Sequence, residues 1–171
     1  MSWDAEFTRH FDRSAAAMRF TAYLLCGNWH EAEDVVQAAY LKLYLAGPRM
    51  AHRDGVDAYL RQIVVRTFLG ERRKARWKRE RVTDELPEVG VPAQLSEDRV
   101  VLWRALDALP AKQRAVLVLR FWHDLGVDEV ARSLRCTSGT VKSHTSRGLA
   151  ALRRRLGADF AELWPEVSRN A

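Results

Sequence analysis

Apolar residues recur along this chain at helical rather than alternating intervals. Phe7, Phe11, Ala15, Met18, Ala22 and Leu25 predict a first helix from Trp3 to Leu25, with the aromatic pair in the core and Cys26-Gly27 as its end. Asn28, followed three positions later by Glu31, has the order of a capping box. It opens a second helix to about Leu45, whose buried stripe is Ala32, Val35, Val36, Ala39, Tyr40 and Leu43. The opposite side carries Glu31, Asp34, Gln37, Leu41 and Lys42. Gly47-Pro48 closes that helix because proline cannot continue the hydrogen-bond ladder. After a loop from Arg49 to Asp54, Tyr59, Leu60, Ile63, Val64 and Phe68 predict a third helix from Gly55 to about Arg81.

The segment from Val82 to Ser96 breaks the pattern. It has no periodicity, and it holds Pro87, Gly90 and Pro92, residues that punctuate helices. Beyond it, Val101, Leu102, Ala105, Leu106 and Leu109 mark a fourth helix. Pro110 suits the start of the next one, Ala111 to Trp122, which buries Val116, Leu117, Leu119 and Phe121. Two helices joined by a tight turn follow. The first, Val127 to Leu134, has Asp128 and Glu129 in its opening turn, where carboxylates favour the dipole, and Val130, Ala131 and Leu134 on one face. Arg135-Cys136-Thr137 makes the turn, and Thr137 or Ser138 caps the second helix. Val141, Leu149, Leu152 and Leu156 line the inner side of that helix, and Gly157 ends it. Phe160, Leu163 and Trp164 suggest a short final helix before Pro165. The fold class is therefore all-α: two small helical domains, 1–81 and 98–171, joined by a flexible linker over 82–97, with a helix-turn-helix in the second.

Charge changes this picture. The chain carries a net +6, unevenly distributed. Arg61 to Arg81 holds nine basic residues against two acidic ones, whereas Val82 to Asp98 holds five acidic residues and no basic one. The helix after the tight turn opens with Thr140, Lys142, Ser143, Ser146 and Arg147 and is free of acid. Two basic patches separated by an acidic strip suggest a polyanion touched twice. A helix opening with hydroxyl and basic side chains suits a major groove, where N-terminal residues read base edges. Trp77, alone within ERRKARWKRER, either folds back on the core or offers a ring on which bases stack.

Other chemistries find little support. Cys26 and Cys136 are too far apart in sequence for a metal-spaced pair, and two cysteines make no disulfide framework. His10, His30, His52, His123 and His144 include no pair three or four apart. Phosphate-binding loops, dinucleotide fingerprints and nucleophile elbows are absent from the sequence. The tight acidic cluster Glu31, Glu33 and Asp34 has nothing beside it to complete a nuclease site. The start MSWDAEF is unlike a signal peptide, and apolar runs fall far short of the roughly 20 residues that span a bilayer. These readings point to a cytoplasmic protein that is not an enzyme, takes no cofactor and does not insert in a membrane.

The stretch LPAKQRAVLVLRFWHDLGVDEVARSLRCTSGTVKSHTSRGLAALRRRL resembles the C-terminal DNA-binding domain of bacterial RNA polymerase sigma factors. HEAEDVVQAAYLKLYL resembles the polymerase-binding helix of their N-terminal domain, and DAYLRQIVVRTFLGERRKARW the promoter-melting helix that follows. The short two-domain layout is similar to the extracytoplasmic-function group. The resemblance implies that Glu33, Asp34, Val35, Val36, Gln37 and Leu41 dock on the clamp coiled coil of core RNA polymerase. It implies that Lys142, Ser143, Ser146 and Arg147 contact the upstream promoter element as duplex, with Thr140 on phosphate. It implies that Tyr59, Arg66 and the loop Gly47 to Asp54 capture the downstream element as single strand, beside the basic run Arg72, Arg73, Arg76 and Lys78 and the ring of Trp77. Arg66 stands where Asn is common in the family, Tyr59 where Trp is common, and His144 where a basic residue is frequent. An anti-sigma factor is a further implied partner, and the acidic linker is expected to mimic nucleic acid in the polymerase RNA channel. The competing reading is a LuxR-type regulator that binds duplex DNA alone, since TVKSH also fits that family. The helical, basic N-terminal half argues against it.

Overall fold

A computed structural model describes residues 2–49, 55–81 and 97–164. The described residues are helical, without a strand, and the chain divides into two compact units, residues 1–87 and 88–171. The segment read as a linker lies outside the described residues up to Ser96, and the first helix of the second unit begins at Glu97.

The first unit is built from α1 (Trp3–Cys26), α2 (Trp29–Ala46) and α3 (Val56–Arg81), with a 3₁₀ turn at Gly47–Arg49. Gly27 ends α1 at a φ of 83°, a left-handed conformation that costs glycine little. Asn28 caps α2 by accepting from the Glu31 amide at 2.8 Å. All six residues of the predicted α2 stripe are buried. They meet Met18, Ala22 and Leu25 of α1, and Leu60, Ile63, Val64, Val65 and Phe68 of α3.

The N-terminal half of α1 departs from the sequence reading. Phe11 is 44% exposed and Phe7 half-buried. Their rings lie across the α1–α2 seam, edge-on to Tyr40 at 4.8 Å and to Tyr44 at 5.2 Å between centroids. Each ring thus has one side covered and one left in solvent. The first buried position of α1, just past Phe11, is polar: Ser14 Oγ donates to the His10 carbonyl at 2.6 Å and lies 2.7 Å from the Tyr40 hydroxyl. A hydroxyl with both needs met is tolerated inside.

The second unit comprises α4 (Glu97–Asp107), α5 (Ala111–Leu117), α6 (Val127–Leu134), α7 (Ser138–Leu156) and α8 (Phe160–Leu163). Its core joins Ala105 and Leu106 of α4, and Leu109 just after it, to Leu117, Leu149, Leu152, Leu156, Phe160 and Trp164. The predicted helix 111–122 is not uniform. After Leu117 it widens into a π turn, Val118–Trp122, with His123 N–H bonded to the Val118 carbonyl at 3.1 Å. With the wider turn Val118 and Leu119 are both buried, while Phe121 is only partly covered. Asp124 then takes a φ of 52° to redirect the chain towards α6.

Candidate nucleic-acid interface

The helix-turn-helix is assembled by short-range hydrogen bonds. Glu129 Oε2 accepts from the Gly126 amide at 2.7 Å at the start of α6. Arg135 leaves that helix in the left-handed region, φ 54°. Thr137, rather than Ser138, caps α7, accepting from the Thr140 amide at 3.1 Å. Ser138 Oγ instead donates to Asp128 Oδ1 at 2.7 Å, bracing α7 against α6. Val141, Gly148 and Leu152 face inward and are buried. This leaves Lys142, Ser143, Ser146 and Arg147 exposed, with Thr140 half-buried at the start of the same helix.

His144 sits at the edge of that surface. It is half-buried, and its Nδ1 has no hydrogen-bond partner. Burial lowers its pKa from the ordinary 6.5, and the positive charges of Lys112 and Arg147 push it further the same way. The imidazole is therefore neutral at pH 7. Lys112, in the first turn of α5, thus belongs to the same electropositive edge. Reading α7 by itself gave no signal for it, because the packing of α5 on α7 brings it there.

In the first unit, Tyr59, Arg66, Arg73 and Trp77 follow each other on α3 at intervals of seven, seven and four. They share one stripe with a drift of roughly 20° per seven residues. Tyr59 and Arg66 are half-buried, and Arg73 is exposed. Trp77 is 61% exposed, which removes the reading that folds it back on the core. Arg76 and Lys78 are exposed beside it. Arg72 is placed differently from its basic neighbours. It lies about a third of a turn away from the stripe, and its Nη2 donates to the Cys26 carbonyl at 2.8 Å and to Glu31 Oε2 at 2.9 Å. Its guanidinium also stands 5.5 Å from the Phe68 ring centre. These contacts tie the side chain to the end of α1 and the start of α2. Of the loop Gly47 to Asp54, residues 50–54 lie outside the described residues.

The proposed docking helix α2 shows Asp34 and Gln37 exposed, and Leu41 59% exposed. Leu45, one turn further on, is 74% exposed and extends this apolar ridge. The sequence reading used it only to mark the end of the helix and assigned it to neither face. Val35 lies where the buried stripe of this helix was expected. At 4% exposure it belongs to the core and supports the face from beneath. Glu33 is half-buried and paired with Arg19 of α1. Among the described residues, no group of three or more His, Cys, Asp and Glu side chains is placed to hold a metal ion. No described helix is long and apolar enough to cross a membrane.

One helical unit thus carries a helix-turn-helix with an exposed hydroxyl-rich and basic face, and the other a basic stripe ending in an exposed tryptophan. Residues 11–78 match the family described as Sigma-70 region 2, and residues 99–152 that described as Sigma-70, region 4. An RNA polymerase sigma-E factor of Streptomyces avermitilis is 34% identical over 153 residues, covering 88% of this chain and 85% of that protein. The ECF RNA polymerase sigma factor SigE of Mycolicibacterium smegmatis is 31% identical over 170 residues, covering 94% of this chain and 64% of the relative. The fold is also that of the sigma factor RpoE from Bartonella quintana, solved in complex with the anti-sigma factor NepR. The TM-score is 0.72 at 24% identity, over 90% of this chain and 98% of that one. The chain belongs to the RNA polymerase sigma factors of the extracytoplasmic-function group, regulatory proteins that act with core RNA polymerase at promoters.

Proposed function

We propose that the chain directs core RNA polymerase to a promoter by dividing the work between its two units. Residues 98–171 read the upstream element as duplex through Lys142, Ser143, Ser146 and Arg147, with Thr140 and Lys112 on phosphates. Residues 1–81 hold the opened downstream strand along Tyr59, Arg66, Arg73 and Trp77, with Arg76 and Lys78 neutralising its backbone. The α2 ridge of Asp34, Gln37, Leu41 and Leu45 docks on polymerase, and 82–97 connects the units. The protein works in the cytoplasm and is held in check by an anti-sigma factor of unassigned type.

The observation that carries this reading is the exposure of two chemically different faces in separate units. One is hydroxyl-rich and basic, at the start of a helix. The other pairs arginines with an exposed tryptophan. Duplex readout needs the first, and single-strand capture needs the second. The LuxR-type reading loses its ground, because the N-terminal unit matches Sigma-70 region 2. Footprinting of holoenzyme on a mapped promoter tests the division. Arg147→Ala should relax discrimination at particular upstream base pairs, by about 1–3 kcal/mol for one lost bidentate contact. Trp77→Ala should reduce permanganate reactivity downstream on duplex but much less on a pre-melted template. An Arg147 variant with unaltered preference, or a Trp77 variant that melts normally, contradicts the respective assignment.

A further inference from the structure

Arg72 stands at the point where all three helices of the first unit meet. Its Nη2 donates both to the Cys26 carbonyl at the end of α1 and to Glu31 in the first turn of α2. Its stem starts from α3, one turn past the buried Phe68. A groove of about 390 Å³ lies between α2 and α3 at this level, and Cys26, Glu31, Phe68 and Arg72 are among its lining residues. The Arg72–Glu31 pair therefore spans a gap that apolar packing leaves open. Beyond it, Arg73, Lys74, Arg76, Trp77 and Lys78 are all exposed, so α3 there runs on with little burial to steer it. Arginine suits the post because its planar fork serves two acceptors at once, whereas the lysine ammonium is a flexible point charge.

We propose that Arg72 is a positioning residue. It fixes the direction of the basic end of α3 relative to the α2 docking face, so that polymerase binding places Arg73, Arg76 and Trp77 against the strand to be opened. The inference rests on the α3 strand-capture reading above, and it gives Arg72 no contact with DNA.

Core polymerase is reconstituted with the full chain carrying Arg72→Ala, Arg72→Lys, Glu31→Gln or the exchange Glu31→Arg with Arg72→Glu. Arg76→Ala serves as the strand-contact control. Open-complex formation is measured per active holoenzyme against salt, on duplex and on pre-melted templates, below the melting temperature of each variant. Arg72→Ala is expected to lower open-complex formation on duplex about tenfold, to recover on the pre-melted template, and to keep the wild-type salt slope. Arg72→Lys fails likewise, Glu31→Gln loses part of the activity, and the exchange restores part of it. Arg76→Ala reduces the salt slope by roughly one, as a lost phosphate contact does.

A slope reduced by Arg72→Ala, or full rescue by Arg72→Lys, overturns the proposal in favour of a phosphate contact. Normal opening by Arg72→Ala holoenzyme of lowered thermal stability leaves Arg72 a purely structural residue and also overturns it. If Arg76→Ala is silent while Arg72→Ala is not, the strand-capture reading fails and this inference falls with it. If Arg76→Ala acts and Arg72→Ala does not, the inference alone fails.

Discussion

Gly148 of α7 lies so close to Leu117 of α5 that a Cβ at position 148 would sit 3.0 Å from Leu117 Cδ1 and 3.2 Å from its Cγ. Leu117 is fully buried and part of the core that holds α4, α5, α7 and α8 together, so it has no free space into which to retreat. This contact sets how closely α7 approaches α5. Gly148→Val should destabilise the second unit by about 1–3 kcal/mol, the usual cost of overpacking a filled core. A thermal melt checks this. A variant that unfolds with the wild type would show that α7 shifts without cost.

Gly70 presents the opposite case. It lies within α3, and a Cβ there would meet no atom within 4 Å. Glycine inside a helix costs roughly 0.5–1 kcal/mol relative to alanine. Gly70→Ala should therefore raise the stability of the first unit by up to that amount in denaturant titration. A drop in stability would mean that the position is sterically restricted after all.

Arg114 is a buried cation, 5% exposed, that closes the corner between α4 and α5. It donates to Asp107 Oδ1 at 3.3 Å and to the carbonyls of Asp107 and Leu109 at 2.8 and 3.0 Å. Removing one member of such a network leaves the others unpaired, at a cost of about 3–5 kcal/mol for a fully buried pair. Half-buried Asp107 places Arg114→Ala towards the lower end. Calorimetry should show the second unit melting early, and an unchanged transition would contradict the bracing role.

The lowered pKa of His144 predicts an acid-side loss of stability. The folded state binds a proton less readily than the unfolded chain, whose histidine titrates near 6.5. The contribution of His144 is full above that pH and declines as pH falls through it towards the lower folded value. Melting temperatures of the wild type at pH 7.5 and 5.5 should differ by more than those of His144→Gln. Equal differences would show that other groups account for the acid sensitivity.

Much of this was legible in the sequence, for reasons visible in particular residues. The α2 stripe was readable because its core positions repeat without interruption from Ala32 to Leu43. The limits of α7 were readable because Thr137 and Gly157 carry the chemistry of a start and a stop. Ser14 and Arg114 were not seen as interior residues, because polar groups enter a core only when a partner elsewhere in the chain satisfies them. Phe11 follows the helical period but only seam partners cover it, so spacing overstated its burial. Arg72 shares its charge with its neighbours and was read with them, yet Glu31 and the end of α1 capture it. Lys112 joins its surface only through packing of α5 on α7, which a pattern along one helix does not register.

The central claim is that this chain confers promoter choice on polymerase, and run-off transcription measures it most directly. Core RNA polymerase is incubated with genomic fragments alone, with the wild-type chain, and with a chain carrying Asp34→Lys and Leu41→Ala on the exposed α2 ridge. The account predicts discrete transcripts from a small set of fragments only when the wild-type chain is present, and a loss of at least tenfold with the ridge variant. Identical transcription with and without the chain, or tight specific duplex binding by the chain alone with no effect on core polymerase, would contradict it.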